Sequence, residues 1–345
     1  MSPRAKVLLI VVAAVLTLLA MLLPAIPSPA QTAMVQDSTL DNLVHAPGYA
    51  TSAPGTLGAV VERGKGPIDM VLVSGFGVGA TAFESFMKRN ASRYHMLAVT
   101  LAGFEGTPAP PMPESGTSYG ANTWTHEATD AIAKLIRDRK LKRPVLVGHF
   151  LNGTQVVMRV AAEYPELVRA VVLLAGTPRY EPAKPSRFWP QNLTLDQKIA
   201  GVDQFSAPHW FKTVTPETWV KGNFKAADYS VDSTLGARFA NRANQPPLPV
   251  LIRYLCEFHA SDMWTVLDSL REPLLVVMPH FTPQLRADST KSYLGSYFEY
   301  PWRGKLDGRP KTESLSVDDA GILVMDDQPA IVDRKVEEFL KGVAK

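Results

Sequence analysis

Short apolar runs alternate with stretches of helical periodicity along this 345-residue chain, and the alternation limits the folds open to it. Continuous apolar runs rich in β-branched residues indicate strands buried on both faces, and helical stretches between them indicate parallel crossovers. We therefore predict an α/β fold with a mostly parallel sheet covered by helices on both sides. The predicted strands are Ala59–Glu62, Met70–Ser74, Met96–Thr100, Pro144–Gly148, Val168–Leu174, Leu274–Met278 and Ser314–Val317, and the predicted helices are Ala82–Arg93, Trp124–Leu141, Leu151–Tyr164 and one near the C terminus.

Residues 179–262 interrupt this alternation and are rich in proline and aromatic residues. A segment with so much aromatic surface must bury it, either against the carboxyl edge of the sheet or in a small core of its own. We therefore predict a helical cap inserted into a single domain of residues 55–345, preceded by a polar lead-in at residues 31–54.

The first 30 residues differ from the rest of the chain. Two cations precede the apolar run Val7–Leu23, and a proline-rich stretch ends at Ser28-Pro29-Ala30. A positive start, an apolar middle and small residues at positions −3 and −1 are typical of a secretory signal, so we predict export, periplasmic or secreted, and cleavage after Ala30. The alternative is a membrane anchor formed by residues 7–23, although this run is short for a span of about 20 residues.

The charge of the chain excludes some partners. Removal of residues 1–30 takes Arg4 and Lys6 with it and lowers the formal net charge from +3 to +1, because 34 basic and 33 acidic residues remain. A nearly neutral chain has no electrostatic signature of nucleic-acid or anionic-membrane binding, so we expect neither partner after cleavage. The single cysteine, Cys256, lies in an apolar run and is predicted to be a buried, inert thiol. No motif indicates a cofactor.

Residues 145–153 run from a predicted strand directly into a predicted helix, with the sequence Val-Leu-Val-Gly-His-Phe-Leu-Asn-Gly. Glycines on both sides of the turn, Gly148 and Gly153, leave room for a sharply bent residue that projects from the carboxyl edge of the sheet. This elbow resembles that of the α/β-hydrolase superfamily, in the esterase, lipase and peroxidase-like branch with a G-H-S-x-G-G elbow. The resemblance covers nearly all of residues 55–340 and implies the α/β-hydrolase fold.

Three further segments resemble the same family in the expected order. Residues 73–77 are similar to its H-G-F-G oxyanion loop, residues 101–106 to its L-P-G-F-G turn, and residues 325–329 to the stretch after its catalytic histidine. The resemblance implies an oxyanion hole formed by the backbone N–H groups of Phe76 and Leu151. Such a site would bind a small anion or a carbonyl oxygen, and the alternative is that it binds only water. It also implies that His149 packs beneath the elbow.

The residues that carry the family's chemistry are replaced in this chain. Hydrolysis there needs a hydroxyl nucleophile, a histidine that takes its proton and a carboxylate that orients the histidine. Phe150 stands at the nucleophile position and Ile322 at the histidine position, and residues 279–282 at the acid position read Pro-His-Phe-Thr. No histidine follows His280 and no serine lies between residues 146 and 179, so a shifted alignment does not restore the set.

The replacement at Phe150 also has structural consequences. The elbow residue of such folds is held at positive φ, a conformation that costs about 1–3 kcal/mol in a residue with a side chain. Asn152, where the family has glycine, adds further bulk. We therefore expect either a relaxed elbow or a Phe150 ring that fills the former nucleophile pocket.

Two other groups of residues are candidate substitutes for the missing side chains. His280, together with Asp318 and Asp319 on the former histidine loop, is a weak candidate for an acid–base pair, and no ligand spacing indicates a metal site. Ser118 lies in a G-x-S-x-G string, but a polar proline-rich loop precedes it instead of a strand, so we do not expect a nucleophile there.

The sequence thus leaves three hypotheses. The first is a non-catalytic relative of ester hydrolases, a pseudoenzyme that binds an apolar ligand or a protein partner under its cap. The second is an active, carboxylesterase-like hydrolase that uses non-standard residues and the retained oxyanion loop. The third is a scaffold without a pocket.

Overall fold

The computed structural model describes residues 50–182 and 191–343. The predicted signal segment and most of the predicted lead-in lie outside these residues. Among the residues described, no helix is long and apolar enough to span a bilayer.

A seven-stranded sheet forms the centre of the molecule, in the order β1-β3-β2-β4-β5-β6-β7. Only the β1–β3 pair is antiparallel, and the other five pairs are parallel. This arrangement confirms the predicted α/β fold with a mostly parallel sheet. The strands are β1 (Val60–Arg63), β2 (Ile68–Val73), β3 (Tyr94–Val99), β4 (Val145–His149), β5 (Ala170–Leu174), β6 (Leu274–His280) and β7 (Thr312–Asp318).

Helices cover the sheet, and their ranges follow the sequence prediction closely in the first half of the chain. These are α1 (Glu84–Asn90), α2 (Thr123–Asp138) and α3 (Phe150–Glu163). The prediction of one helix over Ala82–Arg93 was too long, because a 3₁₀ turn at Ala80–Phe83 precedes α1 and the Asn90 side chain donates to the Phe86 carbonyl and ends it. After β7 come α13 (Val324–Asp327) and α14 (Pro329–Val343).

The insertion between β5 and β6 is helical, and its two ends meet. The guanidinium of Arg179 lies 2.5 Å from the Asp262 carboxylate, and the Met263 N–H donates to the Pro178 carbonyl. Residues near positions 179 and 262 therefore form the base of the insertion. Its helices are α4 (Leu195–Gly201), α5 (Ala207–Thr213), α6 (Pro216–Gly222), α7 (Ala226–Tyr229), α8 (Ser233–Ala243) and α9 (Leu248–His259), followed by α10 (Met263–Ser269), and a π-helical turn at Val202–Ser206 joins α4 to α5.

The aromatic residues of the insertion are buried in two places. Phe211 packs with Ile252 and Cys256 in a small core of its own, whereas Phe224 and Tyr229 join the main core of the sheet. Both modes of burial that the sequence left open therefore occur in the described residues.

The connection from β6 to β7 contains helices that the sequence analysis did not predict. It contains α11 (Pro283–Ala287) and α12 (Tyr293–Phe298), with 3₁₀ turns at Ser289–Lys291 and Tyr300–Trp302. This connection, which we call the β6–β7 excursion (residues 281–311), packs beside the insertion through ring contacts of Phe224 with Tyr293 and Tyr297.

Candidate functional site

The turn from β4 to α3 has the backbone of a nucleophile elbow. Phe150 lies at φ 57°, in the left-handed region that residues with a Cβ seldom adopt. The strand ends at His149 and the helix begins at Phe150, with no residue between them. Of the two outcomes expected from the sequence, a relaxed elbow is therefore not the one observed.

The close approach of three backbone segments holds this turn in place. A Cβ on Gly153 would lie 2.5 Å from the Val73 carbonyl oxygen, and a Cβ on Gly75 would lie 2.5 Å from the Phe150 Cβ. Neither position can accept a larger residue without a shift of backbone. The first turn of α3 and the 73–77 loop are thus pressed against each other at the carboxyl edge of the sheet.

The ring of Phe150 fills the space in front of the elbow. It is fully buried and contacts three aromatic rings from the insertion and the β6–β7 excursion. The centroid of the Phe298 ring lies 5.7 Å away in a stacked arrangement, and those of Phe224 and Tyr229 lie 5.1 and 6.5 Å away, edge to face. These are favourable geometries for aromatic pairs. We call these four residues the aromatic plug.

Ile322 lies behind the plug and supplies only its backbone. Its side chain is fully buried, and its carbonyl oxygen accepts a hydrogen bond from His149 Nε2 at 2.9 Å. Burial lowers the pKa of His149 to about 4, so this imidazole is neutral near pH 7. His149 therefore ties the elbow to the loop after β7, and no imidazole points toward position 150 from that loop.

The retained oxyanion loop is covered by the insertion. Phe76 is buried, and its ring contacts those of Phe104 and Trp219 at 6.1 and 6.0 Å. Leu151 is the second residue of α3, within the first turn, where backbone N–H groups have no partner inside the helix. Phe76 and Leu151 are both buried next to the elbow, and their role as oxyanion donors stays a prediction.

The acid position has become part of the sheet. β6 continues to His280 because His280 pairs in register with Asp318 on β7, which lengthens the predicted strand by two residues. His280 Nδ1 lies 2.5 Å from Asp318 Oδ1, and both side chains reach solvent. Asp319 does not join this pair within the described chain, and its carbonyl accepts from the Gln328 side chain instead.

The geometry is matched by the family comparison. The family model described as "Alpha/beta hydrolase family" matches residues 70–334. The chain belongs to this family. The Met70–Arg334 match includes the elbow, the oxyanion loop and the loop that carries Ile322.

Individual relatives of this alpha/beta hydrolase are distant. The chain is 36% identical over 122 residues to a 2-(acetamidomethylene)succinate hydrolase of Mesorhizobium japonicum. The aligned segment covers 35% of this chain and 40% of that protein. A solved E-2-(acetamidomethylene)succinate hydrolase superposes with a TM-score of 0.53 at 22% identity, over 82% of this chain and 94% of the other. A malate-bound esterase from Thermogutta terrifontis has a TM-score of 0.57 at 18% identity, over 86% and 98%. Likenesses at such identity show the fold alone.

Two substitutions near the elbow find partners in this family member. Asn152, where a glycine is usual, is fully buried and donates through its side-chain amide to the Tyr254 carbonyl of α9. Ser74, where a histidine is usual, donates to the Val99 carbonyl of β3. Both side chains donate to neighbouring backbone, and the buried Asn152 Oδ1 has no hydrogen-bond partner among the described residues.

The remaining candidates have structural roles. The Ser118 hydroxyl donates to the Asp203 carboxylate at 2.5 Å and accepts from the Gly120 N–H, as the cap of a 3₁₀ turn. Cys256 is fully buried, and burial raises the pKa of its thiol. In the ranges 50–182 and 191–343, no group of three or more His, Cys, Asp and Glu side chains is placed to hold a metal ion.

Sequence reasoning missed the contribution of the β6–β7 excursion to this site. Besides the Phe298 ring, the excursion supplies Lys291, whose ammonium lies 2.8 Å from the buried carboxylate of Asp228 on α7. The Tyr293 hydroxyl donates to the same carboxylate at 2.5 Å. Aromatic residues at positions 293, 297, 298, 300 and 302 were the available signal, since they repeat the composition of the insertion.

Proposed function

We propose that this alpha/beta hydrolase is an exported, non-catalytic member of its family that acts by binding an apolar ligand or a protein partner. One observation carries the proposal: the residue at the nucleophile position is Phe150, at positive φ and with its ring fully buried. A phenyl ring has no proton to lose and no lone pair with which to attack a carbonyl carbon.

The surroundings of Phe150 support inactivity independently of the missing nucleophilic oxygen. An acyl group would need space in front of the elbow, and the rings of Phe224, Tyr229 and Phe298 occupy that space. A general base would need a ring nitrogen near position 150, whereas Ile322 presents a carbonyl to His149. The reaction of the family therefore lacks its nucleophile, its base and room for the substrate.

The filled position also narrows where binding can occur. A ligand directly above Phe150 would have to displace three aromatic rings. Binding is therefore better supported beside the aromatic plug, or at the outer surface of the insertion, than at the former nucleophile position. The dicarboxylate substrate named for the Mesorhizobium relative is not carried over, since the match covers 40% of that protein.

The test is covalent labelling of the purified protein with a fluorophosphonate, together with turnover of a panel of esters, lactones and amides. We expect no labelled residue and only background hydrolysis. The Ser118→Ala variant serves as a control, because Ser118 is the serine whose local sequence resembles an elbow. Labelling of the wild type that maps to any one side chain would overturn the proposal, and loss of that label in Ser118→Ala would identify the side chain as Ser118.

A second candidate function, an active hydrolase with non-standard groups, is favoured by one contact. His280 and Asp318 lie 2.5 Å apart at the carboxyl ends of β6 and β7, as a base and its orienting carboxylate would. This candidate predicts turnover that His280→Ala abolishes and Ser118→Ala leaves unchanged. Equal background rates for wild type and both variants would exclude it.

Export is tested by the mass of the mature protein. Cleavage after Ala30 would give a chain that begins at Gln31 and is released from the membrane fraction without detergent. A full-length chain that remains with the membrane would instead support the anchor formed by residues 7–23.

A further inference from the structure

A solvent-accessible cleft borders the aromatic plug at Phe298, the plug residue that lines it. It has a volume of about 200 Å³ and opens between the ends of β6 and β7 and the β6–β7 excursion. Crevices at the carboxyl ends of strands are the usual ligand positions in α/β sheets. Its lining includes His280, Phe281, Arg286, Leu294 and Phe298.

Most of the other ionisable side chains around the cleft have a hydrogen-bonded partner within the described residues. The Lys291 ammonium binds Asp228 at 2.8 and 3.1 Å, the Glu299 carboxylate binds Arg303, and His280 binds Asp318. Arg286 is different: its Nε donates to the Phe281 carbonyl at 2.9 Å, and its two terminal nitrogens have no acceptor in the described parts of the chain.

Arg286 therefore presents a fixed, unpaired cation to the cleft. The bond from Nε holds the guanidinium near α11 and leaves the outward-facing edge of the fork for a ligand. A planar pair of oxygens matches that edge, because carboxylates accept two parallel N–H bonds from one guanidinium.

The cleft also has an apolar, tightly packed lining. Phe281 and Phe298 pack at a centroid distance of 5.4 Å, and Leu294 is buried next to them. At Gly295 the Tyr300 ring lies directly on α12, where a Cβ would come within 2.8 Å of it. The volume is below the roughly 300–1,000 Å³ of pockets that hold drug-sized ligands, so the occupant must be small.

We infer that this cleft binds a small organic carboxylate that bears one aromatic or branched apolar group. The carboxylate pairs with Arg286, and the apolar group packs against Phe281, Leu294 and Phe298. The inference rests on the proposed binding function and names its ligand class and position.

His280 adds a second polar contact in this arrangement. Because Asp318 engages its Nδ1, the nitrogen that remains for a ligand is Nε2. Because a carboxylate only accepts, Nδ1 carries the ring proton, and Nε2 is left to accept a hydrogen bond from a hydroxyl or amide group of the ligand.

The inference is tested by calorimetric titration of the purified protein with benzoate, benzamide and acetate. Benzamide has the shape of benzoate without its charge, and acetate has the charge without the ring. We expect benzoate to bind at least about tenfold more tightly than either, since hydrogen bonds to charged groups are worth more than neutral ones. Equal affinity for benzoate and benzamide would overturn the inference.

Variants of two arginines, one in the cleft and one outside it, sharpen the test. Arg286→Met keeps the apolar stem and removes the cation, and we expect it to weaken benzoate binding about tenfold. Arg309→Met is the matched control, because Arg309 donates to the Leu270 carbonyl and does not line the cleft, and we expect a change of less than about twofold. Arg286→Lys should restore part of the affinity as a point charge without the fork. Benzoate affinity that is unchanged in Arg286→Met would place the ligand elsewhere and overturn the inference.

The outcomes separate this inference from the proposed function. Loss of the benzoate preference with no fluorophosphonate label would overturn the ligand class and leave the protein non-catalytic. Fluorophosphonate labelling together with an Arg286-dependent benzoate site would overturn the proposed inactivity and leave the cleft as a ligand site.

Discussion

Phe298 borders two very different spaces. Its ring stacks on Phe150 inside the fully buried aromatic plug, in front of the elbow. It also lines an open cleft of about 200 Å³ whose lining includes the Arg286 guanidinium. The comparison shows that the space in front of the elbow is filled by side chains, whereas open space lies at the ends of β6 and β7.

The aromatic plug and the cleft also differ in what holds them. Apolar burial and ring contacts hold the plug, whereas hydrogen bonds and ion pairs border the cleft. Substitutions should therefore change the stability of the protein at the plug and the affinity for ligands at the cleft.

The largest expected effect is that of Phe150→Ala. Removal of a fully buried ring costs about 3–5 kcal/mol in the free energy of unfolding, because the neighbouring rings cannot close the cavity. Urea unfolding at equilibrium measures it. Phe281→Ala is the control, since the cleft beside it admits water, and we expect about 2 kcal/mol from lost burial alone. A loss below about 1 kcal/mol for Phe150→Ala would show that the plug is loosely packed.

The Lys291→Met substitution comes next. It would leave the fully buried Asp228 carboxylate without its cation, at a cost of about 3 kcal/mol. Because the Lys291 charge is already neutralised, benzoate affinity should change by less than about twofold. Lys221→Met, which removes an exposed ion pair within one helix, should leave the unfolding midpoint unchanged. Strongly reduced benzoate binding in Lys291→Met would mean that the cleft uses this cation after all.

Acid should lower the stability of the protein through His149, which lies next to the aromatic plug. Its pKa in the folded protein, about 4, lies below the 6.5 of an unfolded histidine, so the unfolded chain takes up the proton more readily. This contribution to stability is present above pH 6.5 and is lost as the pH falls, by about 2 kcal/mol at pH 5. Urea unfolding of wild type and His149→Asn between pH 8 and pH 5 checks it. The same pH dependence in both proteins would contradict the assignment to His149.

The smallest expected effect on stability is that of Arg286→Met. Arg286 is exposed and has no carboxylate partner in the described structure, so its loss should change the free energy of unfolding by less than about 0.5 kcal/mol. Thermal and urea unfolding measure this on the protein used for the benzoate titrations. A larger loss would mean that the cation supports α11, and the change in affinity would then need correction for folding.

Much of the fold could be predicted from the sequence because it depends on local patterns. Buried strands such as β4 and β5 are continuous apolar runs, and α2 repeats apolar residues at one helical face, so neither needs knowledge of distant residues. The position of Phe150 in the elbow followed from the glycines that flank it.

The contents of the site were harder to predict because they depend on long-range contacts. Phe298 meets Phe150 from 148 residues further along the chain, and Lys291 meets Asp228 across 63 residues. The helices of the β6–β7 excursion are short and lack a clear apolar period, so neither their presence nor their approach to the elbow was legible. His280 and Asp318 were identified as candidates, but only the register of β6 and β7 places them side by side.

The sequence by itself determined the sheet, the elbow and the absence of a hydroxyl side chain at position 150, since each depends on residue types at fixed local spacing. The tertiary structure alone decided that the elbow keeps its strained backbone and that its pocket is filled, with the open space beside it. The physical reason is that the packing of three rings around Phe150 depends on how the insertion and the β6–β7 excursion meet above the sheet. No local propensity encodes that meeting.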